Sequence, residues 1–190
     1  SSRDVNSVSE SESENESDTN ISSSERMAIN TFLNATRQLS NSHSGTPTNK
    51  LLKMAEIINS GKKPVLVYSN YIENGVNALN NILTQKYNLK TGIFTGDINI
   101  EEKNELVSRY NNYYNNIDEN EKIDVLLITS SGSEGIDLKN TRNVHIMEPH
   151  WNIFKVEQVI GRAIRFKSHE ALPSNERTVI VHKWISELPN

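Results

Sequence analysis

The stretch Asp124-Val-Leu-Leu-Ile-Thr-Ser-Ser-Gly-Ser-Glu-Gly-Ile-Asp-Leu138 joins the strongest strand signal of the chain to a run of small polar residues. The apolar run through Ile128 suits a strand, and the hydroxyls of Thr129, Ser130 and Ser131 follow it with Gly132 and Gly135. Hydroxyls and glycines at a strand end offer donors and close backbone approach, which suit phosphate oxygens. Asp137 can take a ribose hydroxyl or pair with an arginine, and an ordinary Gly/Ser turn is the plain alternative.

Working outward, Pro64 to Ser69 contains Val-Leu-Val-Tyr, a continuous apolar run of the kind found in a parallel strand covered on both faces. A helix is expected over Ile72–Tyr87, with Val76, Leu79, Ile82 and Leu83 inward, and then a short strand over Thr91–Thr95 ending in Gly96. Asn99 and Glu102 form a cap signal for a helix to about Tyr114. The polar stretch Asn111–Lys122 leads into the central strand. Beyond it, Asn143–Met147 and Arg177–Trp184 read as strands with a helix between them. This βαβα succession predicts an α/β fold, a doubly wound and mostly parallel sheet with right-handed crossovers. Ligands of such sheets sit at the carboxyl ends of the strands, where loops 69–71, 96–99, 129–138 and 148–152 would gather.

Two more helices are expected before the first strand. Ser22 and Glu25 form a capping-box signal for a helix over Met27–Leu39, with Ile29, Phe32, Leu33, Thr36 and Leu39 at helix spacing. A second starts near Thr46 with Pro47 in its first turn, runs to Asn59 and closes at Gly61. Leu51, Met54, Ala55 and Ile58 form its apolar stripe. The chain therefore divides into a Ser/Glu-rich segment at 1–25, a helical lead-in packed on the lobe at 26–62, and an α/β domain at 63–190.

Charge follows the same division. The whole chain is −4, yet residues 1–25 hold seven acids and one base, so residues 26–190 come out near +2 from 19 basic and 17 acidic residues. The first segment has almost nothing to bury and reads as a disordered, solvated linker. Ser7, Ser9, Ser11 and Ser13 each precede a glutamate by three residues, a pattern resembling acidophilic kinase sites. The 190 residues include no cysteine, which excludes disulfides and thiolate chemistry, and the five histidines show no metal-ligand spacing. No apolar run approaches the roughly 20 residues of a membrane span, so a soluble, intracellular protein with no membrane partner is expected. The start at Ser1, without a methionine, suggests a fragment of a longer protein.

The helix between the last two strands carries Glu157-Gln-Val-Ile-Gly-Arg-Ala-Ile-Arg-Phe166. Arg162 and Arg165 are three apart, so a helix places them on one face. Two adjacent guanidiniums repel unless an anion lies between them, and their donor forks suit a polyphosphate. Gln158 adds an amide one turn earlier, and Gly161 permits close approach. Val159, Ile160, Ala163 and Ile164 are expected to dock the other face on the core.

Gln158-x-x-Gly-Arg-x-x-Arg165 resembles motif VI of superfamily 2 helicases, in which the last arginine reaches across a cleft as an arginine finger. The stretch Thr129 to Leu138 resembles motif V, in which the strand-end hydroxyls touch the nucleic-acid backbone and the Gly135-x-Asp137 end lies by the nucleotide. Val65 to Asn70 resembles motif IV; Ser69 and Asn70 contact a strand backbone on that reading, and a helix cap accounts for them nearly as well. Thr95-Gly96-Asp97 resembles the short Thr/His-Gly element between motifs IV and V, or is a turn. With Phe32–Asn41, Tyr68–Tyr71, Ser133–Arg142 and Val144–Asn152, residues 27 to 190 are similar to the helicase-like transcription ATPases of nucleocytoplasmic large DNA viruses, relatives of the poxvirus early transcription factor. Trp151 fits a platform by the cleft, and better fits plain packing.

The resemblance implies a RecA-like helicase C-terminal lobe that acts on ATP with Mg2+, both held mainly by an N-terminal RecA-like lobe outside these residues. The sequence has no Gly-x-x-x-x-Gly-Lys-[Ser/Thr] loop, and Asp118-Glu119-Asn-Glu121 sits in a polar stretch that reads as a solvated turn. The implied partners are DNA or RNA, the N-terminal lobe, and viral RNA polymerase or transcription factors, in the virion or host cytoplasm. The chain by itself is expected to hydrolyse no ATP. The competing readings are a catalytically silent scaffold lobe in a transcription complex, a flavodoxin-like small-ligand module, and a duplex-DNA translocase of the chromatin-remodelling type. The flavodoxin-like reading is weakened by Ser69-Asn-Tyr-Ile-Glu73, which has no glycine cluster after the first strand.

Overall fold

A computed structural model describes residues 22–43, 46–115, 118–131, 135–148, 153–165 and 167–185, with the backbone alone at His43, Ile153, Lys155, Arg162 and Ala163. The Ser/Glu-rich segment up to residue 21, Gly132–Glu134 and Trp151 lie outside the described residues.

Five parallel strands form the sheet: β3 (Val65–Tyr68), β4 (Thr91–Phe94), β5 (Val125–Ile128), β6 (Asn143–Ile146) and β7 (Ile180–Lys183), in the order β4-β5-β3-β6-β7. Register is even across the sheet. Tyr68 pairs with Ile128 and Ile146, Phe94 with Ile128, and Ile146 with Lys183, so the carboxyl ends lie on one edge.

Because side chains alternate along a strand, each central strand feeds two cores. Leu66, Tyr68, Leu126 and Ile128 face one layer with Tyr110 of α4 (Ile100–Asn111) and Val156 and Val159 of α5 (Ile153–Ala163). Val65, Val67, Val125 and Leu127 face the other. There they meet Leu51, Met54, Ala55 and Ile58 of α2 (Asn49–Ser60) and Leu79 and Leu83 of α3 (Ala78–Gln85). Helices on both faces of a parallel sheet are the doubly wound architecture expected from the sequence. Burying one such leucine contributes roughly 1.5–3 kcal/mol.

Several local features differ from expectation. Thr46–Pro47 (β2) does not open a helix; it pairs antiparallel with Ser42–His43 (β1). The cap of α2 is Thr48, whose hydroxyl accepts from the Leu51 N–H while lying 2.7 Å from the Ser40 carbonyl. The segment after β3 begins with a π-helical turn over Ile72–Asn77 before becoming α3. The first helix, α1 (Ser23–Leu39), has the expected capping box, but none of its side chains is buried and Phe32 is 67% exposed. Val159 and Ile160 of α5 pack on the core as expected, joined by Val156, whereas Ile164, just past the helix, is 43% exposed.

Candidate functional site

The even register brings the sequence-predicted residues of β3, β4 and β5 to a common edge. Ser69 and Asn70 continue β3, Thr95 and Gly96 continue β4, and Thr129, Ser130 and Ser131 continue β5. The β4 and β5 ends touch: the Thr129 N–H donates to the Phe94 carbonyl at 3.0 Å, and a Cβ at Gly96 would lie 2.9 Å from Ser131 Oγ. Thr129 Oγ1 is 3.2 Å from Ser131 Oγ and 4% of Thr129 is exposed, so Ser131 is the more open hydroxyl of the two.

β5 and β3 are linked through Tyr68, a residue not anticipated as part of the site. Its hydroxyl donates to Asn70 Oδ1 at 3.0 Å and hydrogen-bonds Ser130. Burial pushes this phenol above its usual range. With Oδ1 occupied, the pole of the Asn70 amide left for a ligand is its donor end.

Ser69 is fully buried. Its Oγ lies 3.0 and 3.1 Å from the two carboxylate oxygens of Glu148 and 3.2 Å from the Tyr71 carbonyl, and it accepts from the Tyr71 N–H at 3.1 Å. The helix-cap alternative does not describe it either, since Tyr71 occupies the cap position and makes no side-chain cap bond. The hydroxyl at the end of β3 therefore faces inward.

Glu148, two residues beyond β6, is a buried residue of this edge that sequence reasoning missed. It is 1% exposed and accepts from Asn41 Nδ2, Ser69 Oγ and the Asn70 N–H, the last at 2.9 Å. Lys50 Nζ donates to Asn41 Oδ1 at 3.1 Å and to Ser40 Oγ at 3.3 Å, so a cation stands behind the amide. Burial raises the Glu148 carboxyl above the usual range against the pull of Asn70, Asn41, Ser69 and Lys50. Burial likewise lowers the Lys50 ammonium, against the opposing attraction of Glu148. Breaking a buried charged network of this kind costs roughly 3–5 kcal/mol.

The second part of the edge holds the motif helix. α5 ends at Ala163, so Arg165 lies beyond the helix rather than on one helical face with Arg162. Its Nη1 sits 3.2 Å from Asp137 Oδ1, with side-chain exposures of 62% and 56%. Asp137 follows Gly135, whose φ of +69° suits glycine. Arg165 and Asp137 line a recess of about 490 Å³ with Lys139, Lys167, Ser168 and Glu170. Arg165 pairs with Asp137 and Lys167 lies 3.7 Å from Glu170, so the recess carries an excess of one cation over its two carboxylates. Gln158 and Gly161 are exposed on α5, and a Cβ at Gly161 would meet nothing within 4 Å, so no close approach accounts for that glycine among the described residues. The side chain of Arg162 lies outside the described residues. The Asp118–Glu121 stretch is an exposed turn in which the Asn120 N–H donates to Asp118 Oδ1 at 2.8 Å.

A parallel sheet with helices on both faces, a motif V-like turn and a motif VI-like helix define a helicase-type RecA-like lobe. Residues 49–167 match the helicase conserved C-terminal domain, and the chain belongs to that family. It is 45% identical over 162 residues to L538 of Acanthamoeba polyphaga mimivirus, named for an ATP-dependent RNA helicase, covering 85% of this chain and 34% of that protein. Against nucleoside triphosphatase I of Choristoneura biennis entomopoxvirus the identity is 34% over 144 residues, 72% of this chain and 21% of that protein. The chain thus spans about a third or less of these relatives. Among solved structures, the Sulfolobus solfataricus SWI2/SNF2 ATPase core in complex with dsDNA aligns with a TM-score of 0.62 at 19% identity, covering 86% of this chain and 34% of that one. The fold is that of a superfamily 2 helicase C-terminal domain, with viral helicase-like relatives.

Proposed function

We propose that this domain is the second RecA-like lobe of a nucleic-acid-dependent ATPase and supplies the cationic half of an ATP site completed by a first lobe of the full-length protein. The observation that carries the reading is Arg165, exposed beside Asp137 in a recess that Lys139 and Lys167 also line. ATP with Mg2+ fits that setting, because an exposed guanidinium paired with a solvated carboxylate can exchange that partner for a phosphate. When bound, ATP supplies the phosphoryl bond that is hydrolysed. Arg165, with Arg162, neutralises charge on the transferring phosphate, Gln158 orients water or a phosphate oxygen, and Asp137 with Gly135 lies toward the ribose. Such a guanidinium contributes about 10³ to 10⁵ in rate when correctly placed.

The nucleic-acid face is the Asn70, Thr95–Gly96 and Thr129–Ser131 edge, with Ser69 supporting it from beneath. Opening and closing of the lobes would carry this edge along a backbone. The names of the mimivirus and entomopoxvirus relatives favour an ATP-driven role; transcription components as partners, and a place in the host cytoplasm or virion, belong to the proposal alone.

The test is ATP turnover by the full-length protein with and without RNA or duplex DNA, comparing wild type with Arg165→Ala. Stimulated turnover that collapses in the variant while ATP still binds supports the motor. Normal turnover by the variant, or no ATP binding by the wild type, leaves a scaffold lobe.

A further inference from the structure

Glu148 occupies an unusual position. A carboxylate is buried beside the end of β3, and its oxygens take three donors from two separate parts of the chain. An ionised carboxyl has no proton to donate and two oxygens to fill, so it suits a site in which the surrounding groups donate. Two of those donors, the Ser69 hydroxyl and the Asn70 N–H, fix consecutive residues of the turn that carries the Asn70 side chain. The third, Asn41, brings in β1 and, through Lys50, the first turn of α2.

Gly75 makes this arrangement possible. It sits in the π-helical turn after β3, and a Cβ there would lie 2.2 Å from Ser69 Oγ and 3.3 Å from Tyr71 Cβ. A real Cβ cannot approach an oxygen so closely, so any other residue would push the Ser69 hydroxyl off the Glu148 carboxylate. The wide π turn and its glycine thus leave room for the hydroxyl to turn inward. Above it, Tyr68 holds Asn70 Oδ1 and leaves the amide nitrogen as the donor end.

We propose that Glu148 is a positioning residue for nucleic-acid contact: with Gly75 it sets the Ser69–Asn70 turn so that the Asn70 amide presents its donor to a backbone phosphate. The inference rests on the reading of this edge as the nucleic-acid face. Glu148 itself, buried beneath the turn, does not touch the ligand. The same carboxylate couples the lead-in to the edge, because Asn41 and Lys50 reach the turn through it.

The test uses the full-length protein and two probes, a short fluorescein-labelled single-stranded RNA and a short labelled duplex DNA, read by anisotropy alongside ATP turnover. Glu148→Gln presents an amide donor to the Ser69 and Asn70 donors, and it should weaken binding of the preferred probe about tenfold, the loss of roughly one good hydrogen bond to charge. The KM for ATP and the turnover without nucleic acid should stay within about twofold of wild type on the same reasoning, since the Arg165 recess is separate. Gly75→Ala, which leaves the carboxylate intact and suits a helical turn, should weaken binding similarly. Asn70→Ala should do the same, and Glu148→Gln combined with Asn70→Ala should be little worse than either alone, whereas a merely structural role predicts independent, additive losses. Glu148→Asp, which keeps the charge, should recover part of the binding.

Unchanged probe binding in folded Glu148→Gln and Gly75→Ala, or full additivity with Asn70→Ala, overturns the proposal. If Glu148→Gln fails to fold, Gly75→Ala and its pairing with Asn70→Ala decide alone. Binding that responds as expected in a protein with no ATP turnover upholds the positioning role and refutes the motor. A wild type that binds neither probe refutes the nucleic-acid face and the positioning role with it.

Discussion

Arg165 Nη1 and Asp137 Oδ1 stand 3.2 Å apart, joining the chain just past α5 to the loop after β5, with both side chains more than half exposed. Solvent screens a pair in this setting, and such pairs contribute about 0–1 kcal/mol. Arg165 is thus held in place without being committed there.

Arg165→Ala should therefore separate stability from activity. The variant is expected to unfold at nearly the wild-type temperature, while turnover of the full-length protein falls by about 10³ or more. Calorimetry and a steady-state ATPase assay measure the two; a large loss of thermal stability would show that the pair is structural.

Tyr110 offers the opposite case. It is fully buried on α4, its hydroxyl is 3.0 Å from Thr141 Oγ1, and burial drives the phenol well above its usual range. Tyr110→Phe leaves Thr141 without that partner and should cost about 1–3 kcal/mol in urea unfolding. ATP and nucleic-acid binding should not change, because the pair lies inside the core.

Acid should destabilise the domain through His145. Its ring stacks on His182 at 4.4 Å and its Nδ1 accepts from Trp184 Nε1 at 3.0 Å. Burial, then His182 and Lys63, push the imidazole down to about 3. The folded state keeps the ring neutral while the unfolded chain protonates near 6.5, so the unfolded state binds the extra proton. This contribution is complete above the unfolded value and is lost as pH falls toward about 3. The slope is about 1.4 kcal/mol per pH unit at most. Urea unfolding of wild type and His145→Gln from neutral to mildly acidic pH checks this, and the variant should show the smaller acid loss.

Nucleic-acid binding by the isolated domain should be weak and sensitive to salt. Residues 26–190 carry a net charge near +2 and the strand-end residues Asn70, Thr95, Gly96 and Thr129–Ser131 are uncharged, so only a few phosphates can be neutralised, by lysines and arginines around that edge. Each phosphate contact contributes a slope of about −0.7 to −0.9 in log affinity against log salt, for single strands and duplex respectively. A titration over salt concentration should give a slope of a few such contacts; tight, salt-independent binding would contradict a phosphate-tracking edge.

Much of this architecture was legible because it is written locally. The continuous apolar runs Val65–Tyr68 and Val125–Ile128, and the caps at Ser22 and Asn99, each depend on residues a few positions apart. Local signals misled where a distant partner intervened. Pro47 has the look of a first helical turn, yet its neighbour Thr46 pairs with β1 and Thr48 takes the cap. Arg162 and Arg165 have helical spacing, yet the helix stops between them and Asp137 takes the second guanidinium.

By itself the sequence determined the order of strands and helices, the two-sided burial of the central strands and the candidate phosphate-binding types at their ends, because backbone periodicity and side-chain chemistry are properties of short stretches. Only the tertiary structure decided that Ser69 faces inward and that Glu148 accepts from the Ser69–Asn70 turn. The partners of that carboxylate lie 79 and 107 residues away at Ser69 and Asn41, and nothing in the local pattern of a glutamate before a proline says which donors the folded sheet will bring to it.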